Sequence, residues 1–203
     1  MFRDSIYSIK DGIRDSISNN GIVLIGNALL PEVADDLYRE LHESTAWVSQ
    51  DITIKKRNAV DFKYSRDRIS LDSDKAPPSL LALRDFLRGD ECRNFISYIS
   101  GLACLWFEGS AARLGPGSSI GVHNDDGNSV RTVGFNLYLN RNWQPDFGGE
   151  FVFLNPYVEV IPEFNRLCLF RVTKSSHHKV NMVSNKVVDG RLAVSGWFSW
   201  EKH

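Results

Sequence analysis

No apolar run in this chain of 203 residues approaches the length of a membrane span, which needs about 20 consecutive apolar positions. The first residues carry charges every few positions with no unbroken apolar centre, so no secretory leader is expected. Cysteine is scarce and odd in number. Cys92, Cys104 and Cys168 are far apart, and two of them sit in apolar runs, which argues against a disulfide framework or a thiolate zinc site. Charge of one sign is also missing: 24 basic against 25 acidic residues leave no cationic field, and Lys55-Lys56-Arg57 is too short a run to imply nucleic acid. Repeats, low-complexity stretches and linkers are absent. A soluble, cytoplasmic protein is expected, with one domain over 1–203 and no nucleic-acid or membrane partner. The sequence leaves its oligomeric state open.

What is present is an ordinary globular composition, 42% hydrophobic and 24% charged, ample for a core. Phe2, Ile6, Ile9, Ile13 and Ile17 recur at helical steps up to Asn19-Asn20-Gly21. Gly21 to Gly26 reads as a buried strand, and Pro31 opens a helix whose inner face is Val33, Leu37 and Leu41. Pro77-Pro78 and Gly101 bracket two further helices. Between them, 51–74 is irregular and charged, either a solvated hairpin or a segment closing over a substrate. Beyond Gly101 strands dominate, in short runs divided by Gly115-Pro116-Gly117, Asp126-Gly127-Asn128, Asn155-Pro156 and Asp189-Gly190. Residues 102–203 thus read as an antiparallel double-sheet jelly roll, with the helices of 1–101 covering one face. The fold class is mostly β with N-terminal helices.

Four positions then draw attention. His123 and Asp125 are two apart on an extended segment and point the same way. A distant His could join them on one metal ion, and two imidazoles with one carboxylate suit an open-sided Fe(II) site. In the last strand Arg191, Ala193, Ser195 and Trp197 share a face. An arginine there needs an anionic partner, either a structural carboxylate or the carboxylate of a bound acid. Tyr138, on the polar face of another strand with Asn136, could donate to the same group.

Together His123-x-Asp125, Gly148-Gly149-Glu150-Phe151, Ser176-x-His178-x-Val180 and Arg191 with Trp197 resemble the Fe(II)- and 2-oxoglutarate-dependent dioxygenases. The prolyl-4-hydroxylase-like branch is the nearest likeness, through Tyr138-Leu139-Asn140-x-x-Trp143 and Pro162-x-Phe164-x-Arg166-Leu167. The likeness runs from Ala111 to Trp200 and implies a double-stranded β-helix. It implies that His123, Asp125 and His178 hold Fe(II), and that Arg191 and Tyr138 bind 2-oxoglutarate. Trp197, Asn136 and Arg131 would border the substrate, with Arg131 also placed for a surface ion pair. Its register selects His178 over His177. O2 is the second co-substrate, and ascorbate is a candidate reductant. The related halogenases lack the carboxylate, so Asp125 points to an oxygenase outcome.

The implied reaction is hydroxylation of an aliphatic C–H bond, with release of succinate and CO2, on a prolyl or amino-acid-type substrate, small molecule, peptide or protein. The competing readings are an oxygenase of specialised metabolism (hydroxylation, desaturation or epoxidation), a non-catalytic jelly-roll binding module, and a cupin-like metal protein.

Overall fold

The structure, a computed structural model, describes residues 1–54, 62–127 and 130–202. In chain order the elements are α1 (Asp4–Ser8), α2 (Lys10–Asn20), β1 (Ile22–Ile25), α3 (Pro31–Glu43), β2 (Val48–Ile54), β3 (Phe62–Ser70), α4 (Pro78–Arg88) and α5 (Asp90–Ser100). Then follow β4 (Trp106–Leu114), β5 (Ile120–His123), β6 (Arg131–Tyr138), β7 (Phe151–Leu154), β8 (Tyr157–Val160), β9 (Arg166–Arg171), β10 (His178–Val180) and β11 (Arg191–Ser199). No helix among the described residues is long and apolar enough to cross a membrane.

Two antiparallel sheets face each other. The larger runs β1-β9-β6-β11-β4-β3-β2 and the smaller β5-β10-β7-β8. Strand alternation sorts the residues of the large sheet. Val133, Phe135 and Leu137 of β6, Leu167 and Leu169 of β9, and Leu192, Val194 and Phe198 of β11 turn outward. They pack with Ile13, Ile17, Leu37, Leu41, Leu80 and Ile96 of the helices as the larger core. The opposite face, with Tyr138, Cys168, Phe170 and Ala193, meets Phe151, Phe153, Val160 and Val180 of the small sheet. This second, thinner core leaves the space that becomes the site.

Two expectations change. The periodic isoleucines form two helices instead of one, because the chain breaks at Ile9, which is 57% exposed, while Phe2 joins a β-bridge to Leu29. Where separate strands over 102–107 and 111–114 are expected, one strand, β4, runs from Trp106 to Leu114, with 102–105 outside it, since Glu108 and Gly109 keep the extended register against β11. Of 51–74, residues 55–61 lie outside the described residues. Residues 51–54 and 62–70 pair as β2 and β3, 71–74 form a turn after them, and β3 extends the large sheet through Asp67↔Arg113 to Ser70↔Ser110.

Buried polar side chains tie the frame together. The Asn140 amide donates to the Pro162 and Leu192 carbonyls (2.7 and 2.9 Å), and its oxygen accepts from the Leu192 N–H at 2.7 Å. Asn165 does the same for both backbone groups of Leu29. Gly134 has a packing reason: a Cβ there would lie 2.2 Å from the Phe170 ring.

Candidate metal and co-substrate site

β5 and β10 are neighbours in register, with His178 paired to His123. That pairing brings together two imidazoles 55 positions apart in sequence, with ring centroids 4.3 Å apart. Asp125 lies just past β5. Its carboxylate is 3.9 Å from His123 Nε2 and 3.5 Å from His178 Nε2. All three donor atoms fall within 4.8 Å of one another, the spacing a single metal ion could satisfy.

The tautomers follow from the carbonyls. His123 Nδ1 lies 2.8 Å from the Gly121 oxygen and His178 Nδ1 2.9 Å from the Ser176 oxygen. A carbonyl only accepts, so each Nδ1 carries the proton and each Nε2 lone pair turns toward Asp125. Burial, with His123 alongside, lowers the His178 pKa to about 4, which keeps the ring neutral and ready to ligate. Phe151 and Phe170 hold it at 5.0 and 4.9 Å between ring centroids. His177 is exposed beside Asn124, as alternation requires once His178 faces inward.

The triad opens into a cavity of about 260 Å³ between the sheets. Its lining includes Tyr64, Arg66, Leu114, Ile120, Asn136, Arg191 and Trp197. Small side chains hollow it out: Ala193 pairs with Ala112, and Ser195 lies between Ser110 and Asn136.

Arg191 is 5% exposed, and its Nε donates to the Gly149 carbonyl at 2.6 Å. Among the described residues it makes no ion pair, so a structural carboxylate is not its partner. Burial pulls its pKa down. Tyr138 is fully buried, its Oη has no hydrogen-bond partner, and its ring centre lies 5.0 Å from the Arg191 guanidinium carbon. A buried cation with no ion-paired carboxylate, Glu150 acting on it only at a distance, is an unfavourable arrangement that a ligand carboxylate would relieve. The donor set therefore fits a keto diacid beside a metal ion.

The other named residues divide. Trp197 and Asn136 line the cavity. Arg131 lines it too, yet its guanidinium is already bound to Glu108 at 3.0 Å and stacked 3.6 Å above the Trp197 ring. Tyr64, Arg66 and Phe170 also line the cavity and escaped the sequence reading. In β3 charged residues occupy both faces, so no apolar alternation marked 64 and 66 as inward. Phe170 read only as a core residue.

Residues 109–199 match the model of the 2OG-Fe(II) oxygenase superfamily. Among curated proteins it is 28% identical over 182 residues to mouse (Mus musculus) prolyl 3-hydroxylase OGFOD1. That alignment takes in 81% of this chain but 30% of the relative's length. Among solved structures, a Pseudomonas putida prolyl-4-hydroxylase superposes with a TM-score of 0.74 at 22% identity, covering 94% of this chain and 99% of that one. A Trichoplax adhaerens prolyl hydroxylase in complex with a hypoxia inducible factor peptide gives 0.73 at 20% identity, covering 97% and 91%. At these identities the structural likeness establishes the double-stranded β-helix fold.

Proposed function

We propose that this chain is an Fe(II)- and 2-oxoglutarate-dependent dioxygenase that hydroxylates a prolyl or amino-acid-type substrate. The observation that carries the reading is the uncompensated Arg191 guanidinium in the same cavity as the His123, Asp125 and His178 donors. The prolyl hydroxylases among the relatives support the substrate class.

In this reading His123, Asp125 and His178 hold the iron from one side. Arg191, with the Tyr138 hydroxyl, holds the far carboxylate of 2-oxoglutarate by a charge-assisted fork. Iron and 2-oxoglutarate, when bound, supply the oxidising power, and the keto acid leaves as succinate and CO2. The chain contributes position and exclusion. Phe151 and Phe170 wall the metal side against water, and Ala112, Ala193 and Ser195 leave room for the keto acid. Trp197, Asn136 and Arg131 border the side where the C–H bond is presented. Ascorbate would serve as auxiliary reductant. The three buried free thiols support a reducing, cytoplasmic setting.

The test is product analysis. Prolyl peptides and free amino acids are incubated with enzyme, Fe(II), 2-oxoglutarate and oxygen. The expected result is a product heavier by one oxygen atom, formed in step with succinate and absent with Asp125→Ala. Substrate-independent succinate formation with no oxygenated product from either class would refute the substrate assignment.

A further inference from the structure

The cavity contains a second cationic feature that the reaction as described leaves unused. On β3, Tyr64, Arg66 and Arg68 alternate onto one face. Arg68 stands opposite Ala112, which lines the cavity, and Arg66 lines it directly together with His123, Asp125 and Arg191. Both arginines have a buried Nε with no hydrogen-bond partner. Among the described residues neither makes an ion pair, whereas nearby Arg113 and Arg131 are bound to Asp67 and Glu108. The two also repel each other. Burial first, and then the Arg66 charge, lower the Arg68 pKa, with Glu108 and Asp72, both ion-paired to other arginines, offsetting only part of that. Tyr64 feels both Arg66 and Asp125, which places this charge on the metal side of the cavity.

Buried guanidinium N–H groups without acceptors are unfavourable, and two like charges side by side add to that. An anion seated between them would offset both. Arg191 lies on β11, two strands from β3, with Tyr138 beside it for the far carboxylate of the keto acid, so Arg66 and Arg68 are left over on β3.

We infer that Arg66 and Arg68 form an anion-binding point for a carboxylate of the primary substrate, so that the preferred substrate is an acid. The carboxylate could be the α-carboxylate of a free amino acid or an acidic side chain next to a prolyl residue. The inference rests on the oxygenase reading above and adds a substrate class to it.

The experiment uses the whole protein loaded with Mn(II) and N-oxalylglycine, a non-reacting analogue of 2-oxoglutarate. Calorimetric titration compares free proline with prolinamide, and a capped prolyl peptide carrying glutamate with the same peptide carrying glutamine. In at least one pair the acid should bind at least about tenfold tighter than its amide. Which pair shows the preference identifies the source of the carboxylate. Arg66→Met and Arg68→Met should each abolish that preference and leave N-oxalylglycine uptake and amide binding unchanged. Equal binding of acid and amide in wild type, which needs no variant to fold, overturns the inference. So does a preference that survives both substitutions, a loss of N-oxalylglycine binding in either variant, or no binding by any of the four probes. Failure of the oxygenase reading would show earlier, as no uptake of Mn(II) or N-oxalylglycine.

Discussion

Arg191 was conspicuous in sequence because an arginine in so apolar a strand needs an anion. The strand alone slightly favours a structural carboxylate, and the His-x-Asp and distant His reverse that preference toward a bound acid. The burial of Arg191 without an ion pair, beside the Tyr138 hydroxyl, is the observation on which the proposal of a bound acid rests. Arg191→Ala should therefore weaken 2-oxoglutarate binding by roughly 10–100-fold, the worth of a charge-assisted hydrogen bond. Arg191→Lys should fall between, keeping the charge and losing the fork. Titration of the Mn(II)-loaded protein measures both, and an unchanged affinity in Arg191→Ala would remove the residue from the site. The proposed metal donors stood out for a simpler reason, since a His and an Asp two apart on an extended segment share a side. Choosing His178 over His177 took the family likeness as well as alternation, and the β5–β10 register agrees with it.

At the scale of the element, periodicity located the helices and most strands well, because their buried faces are apolar. It failed where both faces of a strand carry charge. β3 alternates Tyr64, Arg66 and Arg68 with Ser65 and Asp67, so 51–74 read as an irregular segment. β3 is held in the large sheet by its ladders to β2 and β4, with Asp67 meeting Arg113 across the latter (2.9 Å). The Ser49 hydroxyl and Arg113 hold the Asp67 pKa below the ordinary carboxylate value of 3.8. A carboxyl depressed in the folded state stabilises above its unfolded pKa, and that contribution disappears as pH falls through the folded one. Asp67→Asn should thus cost at most about 1 kcal/mol at neutral pH, as a half-exposed pair allows. The cost should shrink as pH falls through the folded-state pKa; denaturation midpoints at neutral and progressively acid pH check this. Packing elsewhere is less forgiving. Gly134→Ala drives a methyl into the Phe170 ring, and overpacking of this kind costs about 1–3 kcal/mol. Because Phe170 packs on His178, metal affinity should fall along with the melting temperature. Asn140→Ala leaves the buried Leu192 N–H without its acceptor, an expected loss of about 1–3 kcal/mol in denaturant unfolding.

Across the whole molecule, two sheets and a helical layer divide the work. The outward face of the large sheet makes the main core with the helices. Its inward face meets a much smaller sheet, and the mismatch leaves the cavity in which the triad and Arg191 converge. The jelly roll was readable from strand spacing and turn residues, but the cavity wall contributed by β3 was not, since it depends on a long-range pairing that no local pattern announces. The central claim is that these groups act together as one oxygenase centre. Succinate formation from 2-oxoglutarate with Fe(II) and O2 tests it most directly, comparing wild type with Asp125→Ala and Arg191→Ala. The account predicts slow turnover by wild type even without a primary substrate, abolished in both variants while they remain folded. Turnover that persists in folded Asp125→Ala and Arg191→Ala, or a wild type that neither turns over nor binds 2-oxoglutarate with metal, would contradict it.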